Sequence, residues 1–396
     1  MAFHKSVQLQ SRILSSASFL AQFAISMANL ALVYHMRLQF NLSAQMVGVS
    51  AAIYTFTYFI CCLALGPLAS RLKPRQSVNF SMLGMAVSIG MVMYTNSITI
   101  AFIALVGYGA AMSFLWPQLA AWITRGKEGR ALNKATSSFN VSWSLGAATS
   151  PLLTGVLVGT ATRAPLVASI ILFALVFLLL AISTLAIPSI RAVVSEFQNI
   201  QQSEGEDQST PLRFLSWAGV LTVYAALAVI LTIYPLHAMD NLPFSEAAVG
   251  ALLLIRGVST VGMFVVMGKT SWWHFNRPLV LVVQLLVVGI CLLGTLATSF
   301  FHYSLFFVAF GIVFAMTYAF SIFHGASGSL HRSKRMMIHE MLLTVGTIVG
   351  SILGGTIYQN LNFSSVLYGC SLLVAVPFMV GVVTHIFKIG QRSALY

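Results

Sequence analysis

Twelve runs of predominantly apolar residues divide this 396-residue chain. Each run has about the 20 residues that an α-helix needs to cross a bilayer, whereas membrane β-strands are about ten residues long and alternate. Membranes admit only helices and closed barrels, because every backbone polar group must be bonded internally. The chain is therefore predicted to be an all-α membrane protein with twelve transmembrane helices. The runs cover roughly residues 12–35, 46–69, 76–95, 98–123, 132–158, 164–188, 214–236, 246–267, 279–299, 302–324, 336–357 and 366–387.

The composition points to lipid as the main solvent of this chain. Charged residues make up 7% of it, hydrophobic residues make up 58%, and the mean hydropathy is +0.89. Soluble domains carry about 25% charged residues. The sequence holds no Cys/His spacing typical of a metal site, no phosphate-binding loop and no nucleophile motif. We therefore expect no cofactor, no metal and no enzymatic activity.

The net charge of +13 follows a membrane pattern, so nucleic acid is not expected as a partner. If each run crosses the membrane once, 18 of the 21 lysines and arginines fall on one side, Arg37 and Arg163 fall on the other, and Arg256 lies inside a run. Cytoplasmic loops carry the excess of lysine and arginine. Both termini are therefore predicted to be cytoplasmic, in a multi-pass protein of the plasma (inner) membrane. The predicted domains are a six-helix bundle over 1–190, a cytoplasmic linker over 191–213 and a second six-helix bundle over 214–396.

Two stretches 200 positions apart indicate that the chain is built twice. The first, Gly146–Gly155, reads GAATSPLLTG, and the second, Gly346–Gly355, reads GTIVGSILGG. Another pair, 43–48 and 245–250, repeats a serine, a valine and a glycine. Small residues four apart on a helix let another backbone approach closely. We therefore predict two pseudo-symmetric halves, with close helix packing at Gly146, Pro151, Gly155, Gly346, Gly350 and Gly355.

A basic loop between the second and third runs carries part of a known motif. The stretch Gly66–Arg75 reads GPLASRLKPR, and the motif reads G-x-L-A-D-R-x-G-R-[RK]. Gly66 and Arg71 match it, while Ser70 stands at the acidic position and Lys73 at the second glycine.

The fifth run carries a second partial motif, G-x-x-x-G-P-x-x-G-G, of which Gly146, Pro151 and Gly155 match. With twelve runs in two halves, these motifs make the chain resemble the major facilitator superfamily, of the twelve-span bacterial type. The resemblance implies two six-helix bundles related by an axis along the membrane normal. It also implies a gating role for Gly66 and Arg71. The fifth-run motif is associated in that family with export in exchange for protons, and close packing at a proline bend is its alternative reading.

Arg256 and Glu340 are the main candidates for solute binding and proton coupling. An arginine near the centre of the eighth run costs at least about 2.5 kcal/mol on insertion scales, so a buried Arg256 needs a role. Glu340 is the one acid that lies inside a run away from its end. Spans eight and eleven flank the central cavity in the family that the chain resembles. We therefore expect Arg256 and Glu340 to approach each other, with Glu340 carrying the proton; a structural pair, or a Glu340 neutralised by nearby Arg335 and Lys334, are the alternatives.

Polar and aromatic residues in four other runs are further candidates for contact with a solute. They lie on helical stripes or beside a proline: Gln22, Asn29, Trp116, Asn140, Tyr318 and His324. The amides could donate hydrogen bonds to a solute, and Trp116 could stack on it. Polar helix packing is the alternative for the amides, core packing or lipid contact for Trp116, and a satisfied hydrogen bond for His324.

These features predict a secondary transporter that moves a small organic solute by alternating access, as proton-coupled export. Proton-coupled uptake of an anionic metabolite, favoured by Arg256, is the main alternative. A non-transporting receptor or scaffold with the same fold is an alternative of another class. We expect a monomer in the lipid bilayer, with a small-molecule solute and a proton as its partners.

Overall fold

The computed structural model describes residues 2–124, 129–186, 209–329 and 332–393. All regular secondary structure in these ranges is helical, which confirms the predicted fold class. The helices are α1 (Ala2–Leu38), α2 (Ala44–Arg71), α3 (Pro74–Tyr94), α4 (Ile98–Met112), α5 (Trp116–Thr124), α6 (Gly129–Thr160), α7 (Ala164–Ala186), α8 (Leu212–Thr232), α9 (Tyr234–Asn241), α10 (Glu246–Lys269), α11 (Arg277–Gly294), α12 (Phe300–Ala326), α13 (Arg332–Asn360) and α14 (Phe363–Ser393).

Twelve helical segments in the described ranges are long and apolar enough to cross a membrane. The number of helices is larger because two segments are broken. The fourth, Ile98–Leu119, contains α4 and the start of α5, and the seventh, Leu212–Asn241, contains α8 and α9. Proline stands at the second residue of both following helices, as Pro117 and Pro235. Because proline lacks a backbone N–H and its ring clashes with the preceding turn, the helix breaks there.

The chain forms two compact units. The first comprises Met1–Ser43, Val49–Ile200 and Pro243–Gly257, and the second comprises Ala44–Gly48, Gln201–Leu242 and Val258–Tyr396. The start of α2 is thus assigned to the second unit and the start of α10 to the first. Most of the predicted linker, residues 191–208, lies outside the described residues, and the domain boundaries stay a prediction.

The same helix packing occurs in both units. In the first unit, α1 packs against α6 and α7, and α3 packs against α4 and α7. In the second unit, α8 packs against α13 and α14, and α11 packs against α12 and α14. Helices in corresponding places along the chain therefore make corresponding contacts, as a duplicated architecture requires.

The outer surfaces of α7 and α14 are apolar. Exposed side chains repeat on one side of each helix: Ile171, Leu175, Leu178 and Ile182 on α7, and Leu372, Val376, Met379 and Val383 on α14. Such rows would be costly in water but are suited to acyl chains. Candidate functional side chains are those on the remaining, inward faces.

Candidate functional site

Corresponding glycines bring α6 and α13 close to the first helix of their own unit. A β-carbon on Gly146 would lie 2.5 Å from the Phe19 carbonyl oxygen and 3.3 Å from the Gln22 β-carbon. A β-carbon on Gly346 would meet the Leu221 carbonyl oxygen and lie 3.0 Å from the Tyr224 β-carbon. The contacts on α1 and α8 are offset by 202 positions, so Gln22 and Tyr224 occupy equivalent places in the two units.

The fifth-run motif of the first unit packs against the start of α10. A β-carbon on Gly155 would meet the Glu246 carbonyl group, and one on Gly250 would meet the Pro151 carbonyl group. Neither position has room for a side chain. Pro151 lies inside α6, so its carbonyl group and the two glycines form one backbone-to-backbone crossing.

An equivalent crossing joins α13 to the start of α2 in the second unit. A β-carbon on Gly355 would lie 2.7 Å from the Ala44 carbonyl oxygen, and one on Gly48 would meet the Ser351 carbonyl oxygen. The Ala44 N–H donates a hydrogen bond to Oε1 of Gln359 at 2.9 Å. The same short segments that repeat in the sequence therefore make the same kind of crossing.

Gln22 and Asn29 of the first unit make separate hydrogen bonds. The Gln22 amide donates to the Ser26 hydroxyl at 2.9 Å on α1. The hydroxyl group of the buried Tyr108 on α4 donates to Oδ1 of Asn29 at 3.1 Å. Tyr54 of α2 packs edge-on against Tyr108, with ring centroids 5.6 Å apart. Gln22 and Asn29 thus both make hydrogen bonds within the protein, as polar helix packing would require, and both remain half-buried.

Asn140 and Trp116 lie in the α5–α6 part of the first unit. The exposed side chain of Asn140 accepts a hydrogen bond from Nε1 of Trp143 at 3.3 Å, one turn along α6. Trp116 is half-buried, and its ring contacts that of Phe139 at 6.2 Å. Both side chains therefore reach a surface, and neither is locked inside a core.

The second unit holds five rings that we call the aromatic cluster: Tyr224, Phe264, Phe314, Tyr318 and His339. Tyr318 lies at its centre, with ring centroids 6.2 Å from Tyr224, 5.5 Å from Phe264, 6.3 Å from Phe314 and 5.1 Å from His339. Tyr224 and Phe314 are 5.2 Å apart. These rings come from α8, α10, α12 and α13, so four helices meet at one aromatic surface.

Glu340 lies at the edge of the aromatic cluster. It directly follows His339, whose ring centroid lies 5.1 Å from that of Tyr318, and its side chain is exposed. At about 100° per residue, Thr347 and Ser351 point within about 20° of Glu340 on α13. The exposed apolar residue Ile352 points about 120° away. Glu340 therefore lies on the side of α13 that carries the Ser351–Gly48 crossing, and not on the apolar outside.

Two buried histidines bond to serines. Nδ1 of His324 lies 2.8 Å from the Ser216 hydroxyl oxygen, and Nδ1 of His339 lies 2.8 Å from the Ser321 hydroxyl oxygen. His324 has no exposed surface and packs among phenylalanine rings of α12. This geometry agrees with the alternative in which His324 makes a hydrogen bond inside the protein. The His339 ring, in contrast, contacts the aromatic cluster.

The remaining sequence candidates lie in α2 and α10. Arg256 is only 6% exposed, and the adjacent Gly257 packs against Ala148 of α6. Gly66 and Arg71 lie in the last turns of α2, and their side chains fall outside the described part of the structure. The pairing of Arg256 with Glu340 stays a prediction.

Sequence reasoning missed three members of the aromatic cluster, Tyr224, Phe264 and Phe314. Hydropathy counts phenylalanine as an ordinary membrane residue, so no local signal marks Phe264 or Phe314. Tyr224 could have been found, because it is the repeat counterpart of the candidate Gln22 at an offset of 202. Extending the repeat from α6 and α13 to the helices they contact would have paired these two positions.

Twelve candidate membrane-crossing helices in two similar sets define a polytopic membrane protein. Residues 14–327 match the family model described as Major Facilitator Superfamily. The chain therefore belongs to this superfamily, whose members include secondary transporters. No curated protein matches the sequence significantly.

Solved structures of transporters share this fold. The crystal structure of the nucleoside transporter NupG is similar with a TM-score of 0.71 and 13% identity, covering 94% of this chain and 98% of that chain. A POT family transporter in complex with a thioalcohol-conjugated peptide has a TM-score of 0.72 and 10% identity, covering 96% of each chain. At these identities the likeness establishes the fold and not the solute.

Proposed function

We propose that this protein is a proton-coupled exporter of a small organic solute and that Glu340 carries the coupling proton. The observation that carries this proposal is the position of Glu340. Its exposed side chain follows His339 on α13, and the His339 ring packs against Tyr318 in the aromatic cluster. Binding or releasing one proton changes the charge at this place, which is what coupling to a proton gradient requires.

The other two acids of the described residues are poorly placed for this task. Within the described ranges, Asp240, Glu246 and Glu340 all fall within candidate spans. Asp240 and Glu246 lie at span ends. Glu340 lies six residues into the span Lys334–Asn360, which at 1.5 Å per residue is about 9 Å from its start. An ionisable residue at such a depth is a functional candidate by default.

Other titratable groups act on the same surface. The helices that pack against α13 are α8, α12 and α14, together with the start of α2. Their titratable or charged residues, with those on α13 itself, include Tyr224, Tyr318, His324, Arg335, His339 and Tyr368. Among these, Tyr224, Tyr318 and His339 belong to the aromatic cluster, so the pH dependence of transport reflects several groups and is assigned to Glu340 by substitution.

Export is favoured over uptake by the α6 motif and by the state of Arg256. Gly146, Pro151 and Gly155 keep the motif that is associated with proton-linked exporters in this superfamily. Uptake of an anion would need an arginine that reaches the solute, but Arg256 is 94% buried in this conformation. A receptor or scaffold does not need a carboxylate exposed on an inward helix face.

The proposal includes a topology. The distribution of lysine and arginine supports cytoplasmic termini, a cytoplasmic 191–213 linker and residence in the plasma membrane. Because one chain contains both similar sets of helices, we propose that a monomer is the working unit.

Reconstituted protein tests the coupling. Full-length protein in proteoliposomes is exposed to a mixed set of organic solutes, while a trapped dye reports internal pH. Solute addition should move protons through the wild type. The Glu340→Gln variant, which mimics a permanently protonated acid, should lose proton movement and uphill accumulation but retain solute counterflow.

Glu246→Gln provides a matched control, because Glu246 begins α10 at the end of its span. This variant should couple normally. Normal pH-driven accumulation by Glu340→Gln would remove Glu340 as the proton carrier. Counterflow without proton movement in the wild type would reject proton coupling altogether.

A further inference from the structure

Three rings of the aromatic cluster in the second unit are partly accessible. Tyr224, Phe264 and Tyr318 are half-buried, while Phe314 is buried behind them with 5% of its surface exposed. Phe314 stacks with Tyr318 at an interplanar angle of 24°. The buried ring therefore fixes the position of Tyr318, and the three half-buried rings keep surface that a ligand could contact.

The hydrogen bonds around the cluster keep it rigid without covering it. His339 contacts the Tyr318 ring edge-on at 70°, and its Nδ1 is held by the Ser321 hydroxyl group. Thr344 donates its hydroxyl proton back to the Glu340 carbonyl oxygen at 2.9 Å. The serine and threonine hydroxyl groups are thus engaged with the imidazole and the backbone, and the Glu340 side chain remains exposed next to the rings.

A carboxylate beside several aromatic faces favours positively charged ligands. The face of an aromatic ring is the negative part of its quadrupole and attracts a cation within about 6 Å of its centroid. When it is ionised, Glu340 adds a negative charge next to this cluster. An anion would be repelled by this charge, and a neutral aromatic molecule would stack on the rings but gain nothing from the carboxylate.

We propose that the second unit binds an organic cation with aromatic character, its charge paired with Glu340 and its rings packed on Tyr318 and its neighbours. This inference rests on the proposed function, because it takes Glu340 as the group at which a proton and the solute alternate. A carboxylate that holds the proton is neutral and no longer attracts the cation. Binding of one therefore disfavours binding of the other, with no bond made or broken except that to the proton.

The equivalent place in the first unit lacks this chemistry. Asn140 stands where the repeat places Glu340, and Gln22 stands where it places Tyr224. The amide of Asn140 accepts a hydrogen bond from Trp143 and carries no charge. The cation site is therefore assigned to the second unit alone.

Ligand binding to full-length protein in nanodiscs tests the proposal. Ethidium serves as the fluorescent probe, tetraphenylphosphonium as a second aromatic cation, uridine as a neutral aromatic competitor and 2-naphthoate as an anionic one. Ethidium should bind saturably and be displaced by tetraphenylphosphonium, but not by uridine or naphthoate. Empty nanodiscs correct for partition of the cations into lipid.

Substitutions locate the site. Glu340→Gln and Tyr318→Leu should each weaken ethidium binding by at least about tenfold, because they remove the charge and the central ring. Tyr318→Phe, which keeps the ring, should stay within about twofold of the wild type. The matched control is Tyr368→Leu, since Tyr368 is 53% exposed on α14 and outside the cluster.

Three results would overturn the inference: no saturable binding of either cation, displacement by naphthoate as effective as by tetraphenylphosphonium, or unchanged binding in both Glu340→Gln and Tyr318→Leu. If Glu340→Gln does not fold, as judged by size-exclusion chromatography, the competition order in the wild type and the contrast between Tyr318→Leu and Tyr318→Phe decide the question.

The cation site and the proton coupling can fail separately. Cation binding without proton movement would support the cation site and reject the proposed coupling. Proton movement driven by a neutral or anionic solute, with no cation binding, would support the coupling and reject the cation site.

Discussion

Replacing Gly350 with alanine should loosen the contact between α8 and α13, which is the main helix crossing of the second unit. A β-carbon at this position would meet the Ala225 carbonyl oxygen and lie 2.7 Å from both the carbonyl carbon and the α-carbon of Ala225. All three atoms belong to the backbone, so no side-chain rotation relieves the clash. One helix has to move away from the other.

The size of this movement sets the cost. Carbon atoms pack at about 3.5 Å, so a separation of 2.7 Å requires a shift of about 1 Å. A gap of 0.5–1 Å forfeits about a quarter to a half of each dispersion contact along the crossing. Overpacking of this kind typically costs about 1–3 kcal/mol. Alanine regains about 1 kcal/mol because it is the better helix former, which leaves a net loss of up to about 2 kcal/mol in the free energy of unfolding.

Gly262→Ala is the matched control, because it lies inside α10 and an added β-carbon would meet nothing within 4 Å. There the gain in helix propensity should appear alone, so this variant should be at least as stable as the wild type. Thermal unfolding of both purified variants, followed by intrinsic tryptophan fluorescence, gives the comparison. If Gly350→Ala is as stable as Gly262→Ala, the argument for close packing at the repeated glycines is wrong.

Three further predictions test other parts of the structure. Gly355→Leu should abolish folding or transport, because its side chain would run into the Ala44 backbone, whereas Leu372→Ile at a 69% exposed apolar position should change neither thermal stability nor transport. Cysteines placed at Ser203 and Asn362 should differ towards a membrane-impermeant reagent in intact cells, the first protected and the second labelled; equal labelling would overturn the proposed topology. Tyr108→Phe removes the donor to Asn29 and should lower stability by about 0.6 kcal/mol, the average for such bonds between membrane helices. A Tyr108→Phe protein of wild-type stability that no longer transports would show instead that this hydrogen bond serves the solute.

The number and type of membrane spans could be predicted from the sequence because lipid leaves the backbone so few choices. Any apolar run of about 20 residues must be a helix there. The breaks at Ser113–Leu115 and Ile233 were not predicted. A proline inside an apolar run does not lower its hydropathy enough to be noticed, and Pro151 and Pro377 remain inside continuous helices. Whether a proline bends or ends a helix depends on the helices packed around it.

The candidate site was only partly predictable because its members come from distant parts of the chain. Glu340 could be singled out, since a lone acid in an apolar run is conspicuous. Tyr318 and His324 are both candidates from the tenth run, but six residues of helix turn them about 120° apart. The structure accordingly gives them different surroundings, Tyr318 in the aromatic cluster and His324 in a buried bond to Ser216.

The asymmetry between the repeats leads to a last prediction about where coupling can reside. Asn140 and Glu340 occupy equivalent positions, and the side chain of Asn140 is exposed. Asn140→Asp would give the first unit a carboxylate there. This carboxylate can still accept the hydrogen bond that the Trp143 N–H donates to Asn140. The variant should therefore fold. It should not restore proton movement to a Glu340→Gln protein, because the first unit has Gln22 in the place of Tyr224 and a proton bound there competes with no cation. The double variant is measured by solute-driven pH change in proteoliposomes, with Asn140→Asp alone as the control for folding and coupling. Restored proton movement in the double variant would mean that any inward carboxylate suffices and that the aromatic surroundings of Glu340 are not what makes it the coupling residue.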